Sequence, residues 1–235
     1  MDSQAEQMRQ ALLGEGIDGL RSRLVPRVEL RRRNREERNQ LLERHLGAGL
    51  VAQLGMIVQA EGRRAALDWM RIQTADLSRL TVDTAELWAI GLHNLRGCRY
   101  RKADMRPVTV LTGGRDVSAQ LLRLHEVADD PLRFGAVVMI PLPNVLCFHV
   151  VRDADAVMAM LTMRERIPAM LRQSGAASGS LNTALYWWRD GKAEEITLND
   201  APGAEGPEGL TLAASQPFSE ILTTMLDDFE PPEDS

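Results

Sequence analysis

The chain has 235 residues, 44% of them hydrophobic and 26% charged, and a formal net charge of −5, which suits one large folded domain or a compact domain with an extension. The acidic balance argues against nucleic acid as a partner, because phosphate binding draws on a basic surface. No apolar run reaches the ~20 residues that a bilayer span requires, and the first residues show no basic stretch followed by an apolar one, so no membrane partner and a cytoplasmic location are expected.

Residues 1–75 read as a helical N-terminal segment. Over 28–46, Leu30, Leu41, Leu42 and Leu46 fall near one stripe, with charge of both signs elsewhere. Residues 49–77 continue as two helical pieces joined near Gly62. Arginine outnumbers acid between Arg21 and Arg44. Arg31, Arg32, Arg33 and Arg35 therefore read as a solvated helix face or as a docking surface for an acidic partner. Asp83 followed by Glu86 has the spacing of a capping box, predicting a helix over 81–101 that weakens or ends at Gly97.

Residues 76–226 form the expected core domain. The β-branched stretch 106–112 predicts a strand, and 117–130 a helix. Between them, Gly113, Gly114 and Arg115 could present backbone N–H groups and a counter-charge to an anion. The plainer reading is a tight turn with Asp116 capping the helix, since neither phosphate-binding glycine motif is present. Two strands follow around the turn at 141–144, then a helix over 153–173 interrupted or ended near Pro168. Asp190-Gly191 marks a hairpin. Residues 201–209 read as a loop, 215–226 as a last helix and 227–235 as an acidic tail. The fold class expected is α+β, a mainly antiparallel sheet with helices packed on one face, preceded by the helical N-terminal segment.

Two pairs of residues raise the question of chemistry. Cys147 and His149 share one face of a strand, but their backbone positions are about 6.5–7 Å apart, a spacing that does not impose a nucleophile–base contact. Zinc needs three or four ligands, and His93, Cys98 and His125 would have to come from separate elements. Both cysteines read as buried structural thiols, so no catalytic residue, metal or cofactor is assigned. Trp187 and Trp188 point to opposite faces of their strand. One is expected in the core and the other packed, covered or available to a partner. The sequence lacks the GxSxG, HExxH and zinc-deaminase motifs.

Four stretches carry a family resemblance: ELWAIGLHNLRGC (86–98), RDVSAQLLRLHEV (115–127), VVMIPLPNVLCFHVV (137–151) and LYWWRDGKAEEI (185–196). In this order they resemble the YtpQ-like family of uncharacterised bacterial proteins over about half of the chain. The family tends to place Arg-Asp after Pro-Asn, where this chain has Val145-Leu146. The resemblance implies the same α+β arrangement, carries over no activity and leaves function open. The functional expectation is a non-catalytic cytoplasmic module that binds another protein, in the manner of an immunity protein or a chaperone or adaptor. The alternatives are a small-molecule or anion-binding domain or enzyme using Gly113–Asp116 or Cys147 with His149, and a nucleic-acid accessory acting through 21–44.

Overall fold

The computed structural model describes residues 13–14, 16–31, 41–59, 67–80, 82–114, 116–175, 181–200 and 210–227. The chain divides into two compact units. The first comprises residues 1–99 and 114–123, the second residues 100–113 and 124–235.

The first unit corrects the helical reading of 28–77. After a short helix α1 (Gly16–Leu20) the chain forms β1 (Leu24–Leu30), β2 (Glu43–Gly47), β3 (Leu50–Gln59) and β4 (Leu67–Arg71). All pairings are antiparallel. β3 is central, with β1 on one flank and β2 and β4 sharing the other. Of the leucines whose spacing suggested a helix, Leu30 lies in β1, Leu46 in β2 and Leu41 in an isolated bridge to Gln73. In β1, Val28 is buried while Arg27 and Glu29 are only half-buried, an alternation of period two. β3 is almost continuously apolar and buried, as a strand paired on both sides should be. Such a run has no periodicity with which to separate strand from helix. The segment 47–49 reverses the chain between β2 and β3, with positive φ at Gly47, Ala48 and Gly49.

Helix α2 (Leu77–Leu80) and helix α3 (Thr84–Leu95) complete this unit together with the 3₁₀ segment 117–123. The Asp83 side chain accepts from the Glu86 backbone N–H at 2.7 Å, the expected cap. α3 packs on β1. Gly91 admits that approach, because a Cβ there would meet Leu54 Cδ1 at 2.6 Å. The buried Ser118 and Gln120 are tied to Val28 N–H and the Leu95 carbonyl.

The second unit is a seven-stranded antiparallel sheet. Its strands are β5 (Tyr100–Met105), β6 (Val108–Gly113), β7 (Ala136–Leu142), β8 (Val145–Val150), β9 (Leu185–Arg189), β10 (Lys192–Asp200) and β11 (Leu210–Ala213). Their order across the sheet is β11-β10-β9-β7-β8-β6-β5. A short helix α4 (Leu124–Val127) precedes β7; the single helix expected over 117–130 is thus a 3₁₀ segment followed by one α-turn. Asp190 and Gly191, both at positive φ, close the β9–β10 hairpin as expected.

One face of this sheet is covered by helices. Helix α5 (Asp155–Leu161) runs through a π-helical turn at 162–166 into α6 (Ile167–Gln173). The interruption expected at Pro168 takes this form: proline cannot donate to the turn before it, and the widened turn accommodates its ring without ending the helix. Ala156, Met160, Met163, Ile167 and Leu171 pack against Val110, Val137, Met139 and Cys147. The last helix, α7 (Gln216–Asp227), adds Phe218 and Leu222 to the same core. The 201–209 loop and the tail beyond 227 lie outside the described residues.

Candidate functional site

Cys147 is fully buried in the helix-covered core, and burial pushes its thiol up to about 12. Burial together with the adjacent Asp116 carboxylate pushes Cys98 up to about 12 as well. A thiol held protonated is a poor nucleophile. His149 makes no bond to Cys147; its Nδ1 lies 2.8 Å from the Pro107 carbonyl oxygen.

Trp187 and Trp188 are only 3% and 5% exposed. Trp187 donates from Nε1 to the Phe134 carbonyl at 2.8 Å and packs on Phe218 with ring centroids 5.2 Å apart. Neither indole is available as an exposed anchor, which corrects the reading of this pair as a binding surface. Adjacent residues of a strand do face opposite ways, but both faces of β9 are buried.

At the Gly113–Asp116 turn, Val117 N–H donates to the Gly114 carbonyl at 3.1 Å and Ala119 N–H to that of Asp116 at 3.0 Å. Of the turn's own donors, Gly113 N–H is spent on the Asn144 carbonyl at 3.2 Å; Arg115 lies outside the described residues. Of the arginine run, Arg31 is exposed and its Nη2 lies 3.3 Å from His45 Nε2. Arg32, Arg33 and Arg35 lie outside the described residues.

The second unit does contain a groove, of about 670 Å³, within the size range of small-molecule sites. It forms where three stretches of chain meet at one end of the sheet. Lys102, Asp104 and Arg106 come from β5 and its turn into β6. Asp129 and Asp130 come from the segment before β7. His149, Arg152 and Asp155 come from the end of β8 and the start of α5. This follows from topology. β7 and β8 are an antiparallel hairpin, so the residues entering β7 and leaving β8 lie side by side, and antiparallel pairing of β6 with β8 brings the β5–β6 turn to the same end.

The charges interleave. Lys102 Nζ contacts Asp129 at 2.6 Å and donates to the Val127 carbonyl at 3.3 Å. Arg152 contacts Asp130 at 2.6 Å and Asp153 at 3.3 Å, and Arg106 contacts Asp104 at 3.3 Å. Ion pairs this exposed contribute little to stability; their consequence here is to hold both signs of charge around one opening. The Asp155 side chain has no ion pair or hydrogen bond among the described residues.

Among the charged and titratable side chains of this lining His149 is the buried one, 6% exposed. A carbonyl can only accept, so the 2.8 Å contact with Pro107 places the proton on Nδ1. In the neutral ring Nε2 is then an acceptor, and it has no hydrogen-bond partner among the described residues. A buried acceptor left unpaired costs about 1–3 kcal/mol. Positions that keep such an arrangement are candidates for ligand contact.

None of Lys102, Asp104, Arg106, Asp129, Asp130, Arg152 and Asp155 was singled out from the sequence. A usable signal was nonetheless present, because the β7–β8 hairpin was recognised and charge clusters flank it on both sides. No set of three His, Cys, Asp or Glu side chains among the described residues is arranged to hold a metal. No helix among them is long and apolar enough to cross a membrane. No known protein family, curated protein or solved structure matches the chain. None of these comparisons supports the resemblance to YtpQ-like proteins.

Proposed function

We propose that this chain is a non-catalytic binding module whose groove takes a small ligand carrying charge of both signs, such as a free α-amino acid. The observation that supports it most is the buried His149, with Nδ1 held by the Pro107 carbonyl and Nε2 unpaired, set in the lining of a groove ringed by Lys102, Arg106, Arg152, Asp104, Asp129, Asp130 and Asp155. A purely anionic ligand would meet four carboxylates and a purely cationic one three cations, whereas a zwitterion can address each sign. A binding role suits the chemistry of the site better than catalysis, since the nearby thiol is protonated and buried and the imidazole is oriented by a carbonyl instead of a carboxylate.

A thermal-shift screen of the full chain tests this reading. The probes are the free α-amino acids, with inorganic phosphate and a linear diamine as single-sign controls. At least one amino acid should raise Tm with neither control doing so, and Arg152→Gln or Asp155→Asn should abolish the rise. No shift with any amino acid, or a shift that both variants retain, would overturn the assignment.

A further inference from the structure

We infer that β5 is a self-pairing edge, through which two copies of this chain join their seven-stranded sheets about a two-fold axis. The inference does not depend on what the groove binds. It comes from the strand edge and its charge register.

Among the described strands β5 pairs with β6 alone. It stands at the end of the sheet, and residues 101–104 are exposed. Such an edge offers a row of backbone donors and acceptors to another strand. Two copies of one edge strand can continue a sheet antiparallel only about an axis normal to it. That axis keeps each face of the sheet on its own side, so the residue facing another across the seam must share its place in the alternation.

Within this constraint one register is favoured. With Ala103 facing Ala103 of the second copy, Lys102 faces Asp104 of that copy and Asp104 faces its Lys102. Tyr100 then faces Arg106, an aromatic opposite a cation. Sliding the pairing by one permitted step sets Lys102 against Lys102, and sliding it the other way sets Asp104 against Asp104, juxtapositions that destabilise a strand pair. The small Ala103 on the axis leaves the backbones free to approach. A charged edge strand ordinarily discourages pairing with arbitrary strands; this pattern repels most registers and accepts its own copy in one. Lys102 Nζ uses two of its three donors, on Asp129 and the Val127 carbonyl, leaving the third for the seam. Lys102, Asp104 and Arg106 also line the groove, so this pairing would carry the groove lining of one copy up to that of the next.

Sedimentation velocity of the full chain at micromolar concentration tests the inference, with disulfide trapping as the second measurement. The wild type should sediment as a dimer, and Asp104→Lys, which opposes Lys102 of the second copy with a like charge, as a monomer. Ala103→Cys should form a disulfide-linked dimer under mild oxidation while Arg101→Cys, which faces Met105 in this register, should not. The two native thiols, both held protonated to about pH 12, should contribute no cross-link. A wild-type monomer throughout, a dimer untouched by Asp104→Lys, or cross-linking at 101 but not at 103 would each overturn it. A dimer disrupted by Asp104→Lys while the amino-acid thermal shift fails would uphold the seam and reject the ligand reading, so the two proposals fail separately.

Discussion

At the scale of single residues, burial decides what each side chain can do. Cys147 has about a thousandfold less thiolate at neutral pH than a cysteine at the ordinary value of 9.0, its thiol being held up to about 12. Its alkylation in the folded chain should be slow at pH 7 and should rise about tenfold per pH unit to near pH 12, whereas the unfolded chain levels off near pH 9; rates with iodoacetamide in native and denaturing buffer measure this. The linkage has a definite sign. Between those two values the unfolded thiol releases its proton and the native one does not, so this group's contribution to stability is complete below pH 9 and is lost as pH rises toward 12. His149 presents a balance of two terms. His149→Leu gives up the bond to the Pro107 carbonyl and also removes the unpaired Nε2, terms of about 1–3 kcal/mol each and of opposite sign. The net change in urea unfolding should therefore stay below about 2 kcal/mol. A loss as large as that of a truncated core residue would mean that His149 is fully satisfied.

At the scale of elements, the sequence was informative where local chemistry decides the structure. The Asp83 cap, the Asp190-Gly191 hairpin, the β7–β8 pair around its proline-rich turn at 141–144 and the last helix were all legible, because a cap or a turn sequence is contained in a few neighbouring residues. The first sheet was not. β3 is apolar on both faces and its identity depends on partners up to several turns of chain away, so neither period was visible in it. Leucine, arginine and glutamate, good helix formers, were drawn into strands by that pairing. The Gly-Ala-Gly turn at 47–49 was the available sign of a reversal. Gly55 shows how closely this sheet is fitted. A Cβ there would overlap the Trp69 indole and lie 2.6 Å from the Met70 carbonyl oxygen, while Trp69 Nε1 donates to the Val25 carbonyl at 3.1 Å and Arg27 stacks 4.4 Å from its ring centre. Gly55→Ala should cost about 3 kcal/mol, the upper range of overpacking. The cost should shrink in a Trp69→Ala background, and a double-mutant cycle of unfolding free energies reads the coupling.

At the scale of the whole molecule, the groove is a product of topology. No motif announces it. Its residues are distributed from Lys102 to Met158, and they meet because antiparallel pairing among strands β5 to β8 brings strand ends together. That explains why scanning for catalytic spacings passed over it: the individual aspartates and arginines are indistinguishable in sequence from ordinary surface charge. The same arrangement makes one claim central, that His149 is a ligand-facing member of this lining. The most direct test is a long-range proton–nitrogen correlation spectrum of the histidine side chains, recorded with and without the α-amino acids. In the neutral ring of the free protein the proton should reside on Nδ1 of His149, and the Nε2 resonance should move, saturably, as an amino acid is added. A proton found on Nε2, or an Nε2 resonance that stays fixed throughout the titrations, would contradict the account.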